Sequence, residues 1–199
     1  MSTHNINMEK YADKTLVIAR YNEDLSWIDD INCQYLIYNK GLPLSVPSIL
    51  TPNIGRESET YLRYIKDNYH NLPNIIIFAQ GNPFDHCADF IDKVNSLEFL
   101  DNNYVTLCDT IYSIDINITQ PYLKEVTEKF IPEYNNVCKN WDFGAGAQYA
   151  VSKKLILKKP IEWWEQLYTT HMYYSTLNSH SQLNIPHTFE RLWSIIWAK

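Results

Sequence analysis

The sequence contains no run of apolar residues that approaches the ~20 needed to span a membrane, and its longest apolar run, IIIFA, has the length of a strand. The N-terminus, MSTHNINMEKYADKT, lacks the apolar stretch of a secretory signal. The 4 cysteines are widely scattered and form no CxxC pair, which favours reduced thiols over a disulfide framework or a zinc site. We therefore expect a cytoplasmic protein without a transmembrane segment.

Positive charge is also scarce, because 17 Lys and Arg face 23 Asp and Glu and the net charge is −6. A chain this acidic has no general electrostatic attraction for nucleic acid, so we expect no nucleic-acid partner. Any phosphate-bearing ligand needs a local device, such as a helix N-terminus or a few placed Arg and Lys side chains. The GxSxG, HExxH and P-loop motifs of common hydrolases and NTPases do not occur.

Aromatic residues, in contrast, are plentiful, with 15 Tyr and 6 Trp. They predict either a ring-rich core or a groove lined by aromatic side chains, although an AT-rich genome also produces many tyrosines without any function. No internal repeat, low-complexity tract or Pro/Ser/Gly linker divides the chain. We therefore expect an N-terminal tail, residues 1–14, and a single domain, residues 15–199.

Strands and helices alternate along the first hundred residues. Apolar runs predict strands at residues 15–20, 34–40 and 74–81, and the three prolines of residues 42–53 predict a loop there. Helices are predicted at residues 24–31, 58–69, 85–100, 122–134, 153–159, 161–174 and 186–198, with a further strand at 147–152 and weak strand signals at 101–120. This alternation predicts an α/β fold with a central, mostly parallel mixed sheet flanked by helices.

The predicted parallel strands end in polar clusters. In such sheets, ligands bind off the carboxyl ends of the strands, near the point where the strand order reverses. Three predicted strands run into the polar sequences RYNED, NKG and QGNPFDH. Because the carboxyl ends of parallel strands share one edge of the sheet, the three clusters together predict a polar site there.

The first two exits offer candidate ligand contacts. Arg20 ends the first strand, and Asn22 and Glu23 after it can accept hydrogen bonds from a base or from ribose hydroxyls, although a turn with a helix N-cap favours the same residue types. Asn39 and Lys40 end the second strand. Lys40 can contact a phosphate as a point charge, but an ordinary Asn-Lys-Gly turn explains both residues.

The helix predicted after residue 57 has an unusual start, NIGRES. Asn53 or Ser58 can cap it, Gly55 permits a tight turn, and Glu57 suits the positive end of the helix dipole. A cation at a helix N-terminus is unfavourable by a few tenths to ~1 kcal/mol, so Arg56 needs another reason to be there. It either pairs with a neighbouring glutamate or helps to hold an anionic ligand.

The third exit has Gln80 and Gly81 where many nucleotide-sugar transferases place an Asp-x-Asp that holds a divalent metal. Asp85 and His86 follow a few residues later, and His86 is a candidate general base or metal ligand. Exposed acids in such a segment are usually just solvated. The sequence leaves open whether Mn²⁺ or Mg²⁺ binds here or whether the site needs no metal.

Two later segments also carry candidates. In NWDFGAGAQYAVS, Gly144 permits a close approach of the backbone to a flat ligand and Gln148 supplies a polar group, although a strained turn also explains the stretch. On the last helix, Glu190 is either a catalytic base that faces the site or half of a surface pair with Arg191.

The chain resembles the family called domain of unknown function 3431 from about residue 15 to its end. The resemblance rests on VIARYNEDLSWI, YNKG, NIGRESETYLRYIKDNYHNLP, FAQGNPFDH, FGAGAQYAVSKKLIL and FERLW. The name of this family implies kinship and no activity.

A second resemblance concerns architecture. VIARYNED looks like the first strand of glycosyltransferase A-fold enzymes, and GAGAQYAVSKKLI looks like their glycine-rich, acceptor-side strand. This resemblance implies a Rossmann-like sheet with Asn22 and Glu23 at the nucleotide base and Gln80 near the metal position. Since Asp-x-Asp is missing, it implies either a metal-independent enzyme, in which Arg56, Lys40 and the helix N-terminus offset the charge of the leaving diphosphate, or a protein that is not a transferase.

The leading hypothesis is a glycosyltransferase-like protein that binds a nucleotide sugar and transfers the sugar to a hydroxyl of a glycan or another acceptor. Asp85, His86 and Glu190 are the candidate bases for that hydroxyl. The alternative is a non-catalytic module of the same fold that binds a glycan or peptide, and a hydrolase that uses the same three side chains is a third hypothesis. The candidate residues for binding the nucleotide sugar are Arg20, Asn22, Glu23, Asn39, Lys40, Asn53, Arg56, Glu57, Gln80, Gly81, Gly144 and Gln148.

Overall fold

The computed structural model of the chain describes residues 14–98, 100–115, 121–132, 140–177 and 185–198. The strands of the described residues are β1 (Lys14–Arg20), β2 (Gln34–Asn39), β3 (Ile49–Leu50), β4 (Ile75–Gln80), β5 (Tyr104–Thr106), β6 (Ile111–Asp115), β7 (Asn140–Gly144) and β8 (Tyr149–Ser152). Residues 1–13 of the predicted tail lie outside the described part, and β1 begins at Lys14.

The main sheet is mixed and mostly parallel, as the sequence predicts. Its six strands lie in the order β3-β2-β1-β4-β8-β5, and β6 pairs with β7 in a separate antiparallel ribbon. β1 is parallel to β2 and to β4, whereas β8 is antiparallel to β4 and β5. The chain passes from β1 to β2 and β3 on one side and then returns to β4 on the other. The strand order therefore reverses between β1 and β4.

Helices cover the sheet. Those of the described residues are α1 (Arg56–Asn68), α2 (Phe90–Ser96), α3 (Pro121–Phe130), α4 (Lys153–Ile156), α5 (Ile161–Leu177) and α6 (Ile185–Ala198). The predicted helix at 24–31 is instead a short 3-10 turn over Ser26–Asp30. Among the described residues, no helix combines the length and the apolarity that a membrane span requires.

Both faces of the sheet are buried. On β1, Leu16 and Ile18 belong to the core on one face, whereas Val17 packs in the core on the other. Side chains alternate along a strand, so a strand that is buried on both faces reads as a continuous apolar run. Each fully buried aliphatic side chain of this kind contributes about 1.5–3 kcal/mol.

Aromatic rings fill much of the core on one face. Phe78 of β4 stacks on Trp197 of α6 with 6.1 Å between ring centroids, and Trp193 stacks on Trp197 at 5.0 Å. Trp164 of α5 lies 5.9 Å from the same ring. Because each such ring buries about 150–250 Å², the aromatic content of the chain serves first to join α5 and α6 to the sheet.

Two further segments contain strands that the sequence predicts weakly or not at all. The proline-rich loop at residues 42–53 contains β3, a two-residue strand that pairs with the end of β2. The segment with weak strand signals contains β5 and β6. These strands are short or partly exposed, so they lack the continuous apolar run that marks the central strands.

Candidate functional site

A cleft of about 460 Å³ lies at the carboxyl edge of the main sheet, where β1 and β4 end. This is the point at which the strand order reverses, the usual position of a ligand site in an open α/β sheet. Predicted site residues that line the cleft are Arg20, Glu23, Lys40, Asn53, Arg56, Glu57, Gln80, His86 and Glu190. Tyr21 and His187 line it as well.

The remaining predicted residues do not line this cleft. Asn22 accepts a hydrogen bond from the backbone N–H of Leu42 at 2.9 Å, and Asn39 is buried and accepts one from Arg20 at 2.8 Å. Both asparagines therefore hold the strand exits together.

Four further candidates are absent from the lining of the cleft. Gly81 and Gly144 are buried, and Asp85 is exposed to solvent. Gln148 is fully buried and donates from Nε2 to two backbone carbonyls at 3.2 and 3.1 Å. Its amide thus ties loops of the fold to each other.

Arg20 is a buried cation at the floor of the cleft, 7% exposed. Its Nε donates to the carbonyl of Glu23 at 2.9 Å. Its Nη1 donates to the carbonyls of Tyr21 and Leu42 at 3.2 and 3.0 Å and to Oδ1 of Asn39 at 2.8 Å. These acceptors are uncharged, and none of the ion pairs within the described residues includes Arg20.

Helix α1 begins in a left-handed backbone. Gly55 has a φ of 69° and Arg56 a φ of 49°, a conformation that costs a non-glycine residue about 1–2 kcal/mol. The helix has no side-chain cap, so the predicted capping by Asn53 or Ser58 is wrong. His171 of α5 contacts the carbonyl of Gly55 at 3.3 Å, and a Cβ at position 55 would lie 2.4 Å from that ring, so only glycine fits.

The side chain of Arg56 is free to act in the cleft. Among the described residues it forms no ion pair with Glu57 or with Glu59, whose carboxylate pairs instead with Lys40 and Arg63. The sequence left two explanations for Arg56, a glutamate pair or an anionic ligand. Within the described residues, the structure excludes a direct ion pair of Arg56 with either glutamate.

Gly146 joins the two sides of the cleft. Its N–H donates to Oε1 of Glu190 at 2.8 Å, and its carbonyl accepts from Nε2 of Gln80 at 2.7 Å. The other carboxylate oxygen of Glu190 lies 3.1 Å from Nδ1 of His187. The ring of His86 covers the glycine, because a Cβ there would lie 2.4 Å from Cδ2 of that ring.

We expect Gly146→Ala to lower the free energy of unfolding by about 2 kcal/mol. The residue has a φ of 83° and would push a methyl group into His86, so left-handed strain and a steric clash add. For a chain of this size, the melting temperature should fall by roughly 4–8 °C, as measured by circular dichroism.

Ala147→Gly is the matched control. Ala147 has a φ of 53°, so glycine there relieves strain while the loss of a buried methyl costs about 0.8 kcal/mol, and the two nearly cancel. Equal losses of stability in the two variants would contradict the role of the left-handed glycine.

Sequence reasoning missed Tyr21 and His187 in the lining of the cleft, and Gly146 as the contact between Gln80 and Glu190. Gly146 lies two residues after the candidate Gly144, and what distinguishes the two glycines is the positive φ of Gly146, which the sequence does not show. His187 and Glu190 are three residues apart on one predicted helix. Side chains at this spacing are neighbours, so the sequence contained a signal that the two residues lie together.

The residues most suited to share a metal ion, within the described ranges, lie outside the cleft. Cys87, Asp89 and Asp109 bring their ligand atoms close together. Lys93 Nζ lies 2.7 Å from Asp89, 3.5 Å from Asp109 and 3.5 Å from the sulfur of Cys87. The cluster is thus already bridged by an ammonium group, which explains its acidic side chains without a metal.

Comparison with known families gives a match over nearly the whole chain. A family model described as "Protein of unknown function (DUF3431)" matches residues 16–199. Searches of curated proteins and of solved structures found no match. The function is therefore inferred from the geometry of the cleft.

Proposed function

The chain belongs to the DUF3431 family, and from the charges in its cleft we propose that it binds a nucleotide sugar and transfers the sugar to an acceptor hydroxyl. The proposed fold relatives are the glycosyltransferase A-fold enzymes. The position of the cleft, at the carboxyl ends of β1 and β4, suits a nucleotide.

The observation that carries this proposal is a pair of arginines without a carboxylate partner among the described residues. Arg20 is buried against uncharged oxygens, and Arg56 extends from a strained helix start. Burial of a cation such as Arg20 without a counter-ion is costly, whereas Arg56 is exposed to solvent. An anionic ligand between the two side chains supplies the missing charge and also gains about 0.3–1 kcal/mol from the dipole of α1.

Two of the three acidic residues of the cleft are held by other groups, and the third, Glu57, makes no ion pair with Arg56 among the described residues. Oε2 of Glu23 accepts the backbone N–H groups of Tyr21 and Asn22 at 2.6 and 3.1 Å, so its charge is engaged by its own turn. Glu190 is held by Gly146 and His187. The arginines, in contrast, keep donors that no carboxylate of the described residues satisfies.

The proposal assigns a part of the ligand to each wall. The diphosphate lies between Arg20 and Arg56, at the N-terminus of α1, where backbone N–H groups favour anions. The nucleoside lies against Tyr21, a residue that is 50% exposed, and beside Glu23. The sugar then faces the side of the cleft formed by His86 and Glu190, where an acceptor hydroxyl can approach.

The arginines also bear on the need for a metal. Gln80 stands where an Asp-x-Asp would offer carboxylates, and its Nε2 is already bonded to Gly146. Two guanidinium groups and a helix N-terminus can stabilise the charge of a leaving diphosphate without a metal. We therefore expect binding to persist after chelation with EDTA and to change little on addition of Mn²⁺ or Mg²⁺.

Calorimetry with a panel of UDP- and GDP-sugars tests the proposal. We expect at least one of them to bind and Arg56→Ala to weaken its binding about 10–100-fold, because a hydrogen bond to a charged group is worth about 1.5–3 kcal/mol. Lys158→Ala removes an exposed cation away from the cleft and should leave the Kd unchanged.

Absence of binding for every sugar nucleotide would contradict the proposed function. Incubation of the bound donor with glycan and other hydroxyl acceptors then distinguishes a transferase from a binding module. A transferase releases the nucleoside diphosphate in step with a glycosylated product. A module releases none, and a hydrolase releases free sugar without an acceptor.

A further inference from the structure

Two carboxyl groups face the cleft from different helices, and their surroundings differ. Glu190 of α6 accepts the N–H of Gly146 at 2.8 Å on one oxygen and contacts Nδ1 of His187 at 3.1 Å with the other. Only 18% of its side chain is exposed. Contacts with two segments, the turn at Gly146 and the ring of His187, thus fix the position of this carboxylate.

Among the described residues, Glu57, in the first turn of α1, is not held from other segments in this way, and its carboxylate accepts a hydrogen bond from its own backbone N–H. Among the described residues its carboxylate makes no ion pair, and it lines the cleft while remaining partly exposed. Burial by the surrounding protein raises the pKa of Glu57 to about 7. Its own backbone N–H and Arg56 act in the opposite direction, and the charge of Glu190 raises the pKa further.

Charged and titratable groups surround Glu57 on every side of the cleft. They are Arg20 at the end of β1, Glu23 after it, Lys40 after β2, Arg56 on α1, His86 after β4, and His187 and Glu190 on α6. Behind the helix start, His171 holds the carbonyl of Gly55. Glu57 therefore sits in a fixed electrostatic setting rather than in bulk water.

Two carboxyls line one site, one held by contacts with two segments and one without an ion pair among the described residues, and this difference suits them to different roles in proton transfer. We propose that Glu57 is the catalytic residue that accepts the proton of the acceptor hydroxyl, and that Glu190, held by Gly146 and His187, is a positioning residue for it. This inference rests on the proposed function, because it assigns the base of the sugar transfer.

The step balances in atoms and charge. The oxygen of the acceptor hydroxyl forms a bond to the anomeric carbon, and its proton passes to the carboxylate of Glu57. The bond from the anomeric carbon to the phosphate oxygen breaks, and its electron pair leaves with the diphosphate beside Arg20 and Arg56. Loss of the proton to water then returns Glu57 to its starting state.

The placement of the other candidate bases favours Glu57. Asp85 is exposed and does not line the cleft. The ring of His86 is packed over Gly146, which fixes its plane. Glu190 has both oxygens engaged. A base that titrates near the working pH and has a free oxygen is the most effective, and general bases typically contribute about 10²–10⁴-fold in rate.

The first test measures proton binding directly and needs no ligand. In protein labelled with ¹³C at the glutamate carboxyl carbons, we expect one resonance to titrate near pH 7 and to vanish in Glu57→Gln. Glu190→Gln removes the neighbouring charge and should shift that titration to lower pH. Glu165→Gln, an exposed glutamate on α5, is the matched control and should leave it unchanged.

The second test uses whichever sugar nucleotide the calorimetric panel identifies. Glu57→Gln should lower kcat at least about 100-fold and leave the Kd of the donor within about threefold. The wild-type kcat should rise with pH through an apparent pKa near 7, and this rise should disappear in the variant. Glu165→Gln should match the wild type in both measurements.

The outcomes of these tests distinguish a wrong assignment of Glu57 from a wrong proposed function. If no glutamate titrates near pH 7, or if Glu57→Gln turns over at the wild-type rate, the assignment of Glu57 is overturned while the sugar transfer can stand. If no sugar nucleotide binds, the proposed function fails and the catalytic role of Glu57 fails with it. Circular dichroism of each variant shows whether lost activity reflects lost folding. If Glu57→Gln does not fold, the assignment is tested by comparing the carboxyl titration of the wild type with that of Glu190→Gln, in which the titration near pH 7 should shift to lower pH.

Discussion

The variant His171→Gln is expected to resist acid better than the wild type. The free energy of unfolding of the wild type should fall relative to the variant by about 3 kcal/mol between pH 6.5 and about pH 4. His171 is fully buried, against the ring of Phe189 at 4.4 Å between centroids, and burial lowers its pKa from 6.5 to about 3. The nearby Lys40 lowers the pKa further.

The sign of this effect follows from proton binding. Below pH 6.5 the unfolded chain takes up a proton on His171, whereas the folded chain does not until about pH 3. Stability is therefore lost as the pH falls through that window, by about 1.4 kcal/mol for each pH unit. A glutamine can still donate to the carbonyl of Gly55 and never carries a charge.

Urea unfolding followed by tryptophan fluorescence at several pH values measures this difference. The variants have to be compared at each pH, because the raised pKa of Glu57 acts in the opposite direction between pH 4.5 and about 7 and flattens the wild-type profile. His70→Gln changes an exposed histidine and should follow the wild type. If His171→Gln shows the same acid sensitivity as the wild type, the neutral buried imidazole is not its cause.

The same histidine shows where sequence reasoning stops. In IEWWEQLYTTHMYY nothing distinguishes His171 from a surface residue of a helix, and its partner Gly55 lies 116 positions earlier in the chain. The need for glycine at position 55 comes from that contact. A local pattern therefore identified an unusual helix start but not its cause.

The central strands were predictable for a physical reason. β1 and β4 are buried on both faces, so their apolar character is continuous and visible in the sequence. An apolar run does not reveal the direction of a strand, and β8 proved antiparallel to β4. β3 has only two residues and depends on pairing with β2 rather than on its own sequence.

The clustering of polar strand exits was predictable from the same principle, since parallel strands end at one edge. Which side chains face the cleft was not. Asn39 and Lys40 are adjacent, yet Asn39 turns to Arg20 whereas Lys40 lines the cleft. The residues of α6 reach the site only because its aromatic side packs on the sheet, a contact between distant parts of the chain.

Glu59→Ala is expected to be the most destabilising change near the cleft, with a loss of about 3–5 kcal/mol. The carboxylate of Glu59 pairs with Lys40, and the side chains are only 2% and 3% exposed. Removal of the acid leaves a buried ammonium group without its partner. Burial already lowers the pKa of Lys40, and Glu59 opposes that shift.

Two further variants make the prediction specific. Arg63 also pairs with Glu59, but its side chain is 27% exposed, so Arg63→Ala should cost no more than about 1 kcal/mol. The double variant Lys40→Met with Glu59→Leu replaces both buried charges by apolar groups of similar size and should recover most of the loss. Urea unfolding of the single and double variants measures the loss of stability in each variant.

The outcome also bears on the role of Lys40 in the cleft. If Glu59→Ala costs no more than Arg63→Ala, the ammonium group of Lys40 is solvated and free to contact a phosphate itself. If the predicted large loss is found, the charge of Lys40 is committed to Glu59, and the lysine acts on a ligand only by supporting the helix that carries Arg56 and Glu57. In that case the anion depends on Arg20 and Arg56, the two cations of the cleft without a carboxylate partner among the described residues.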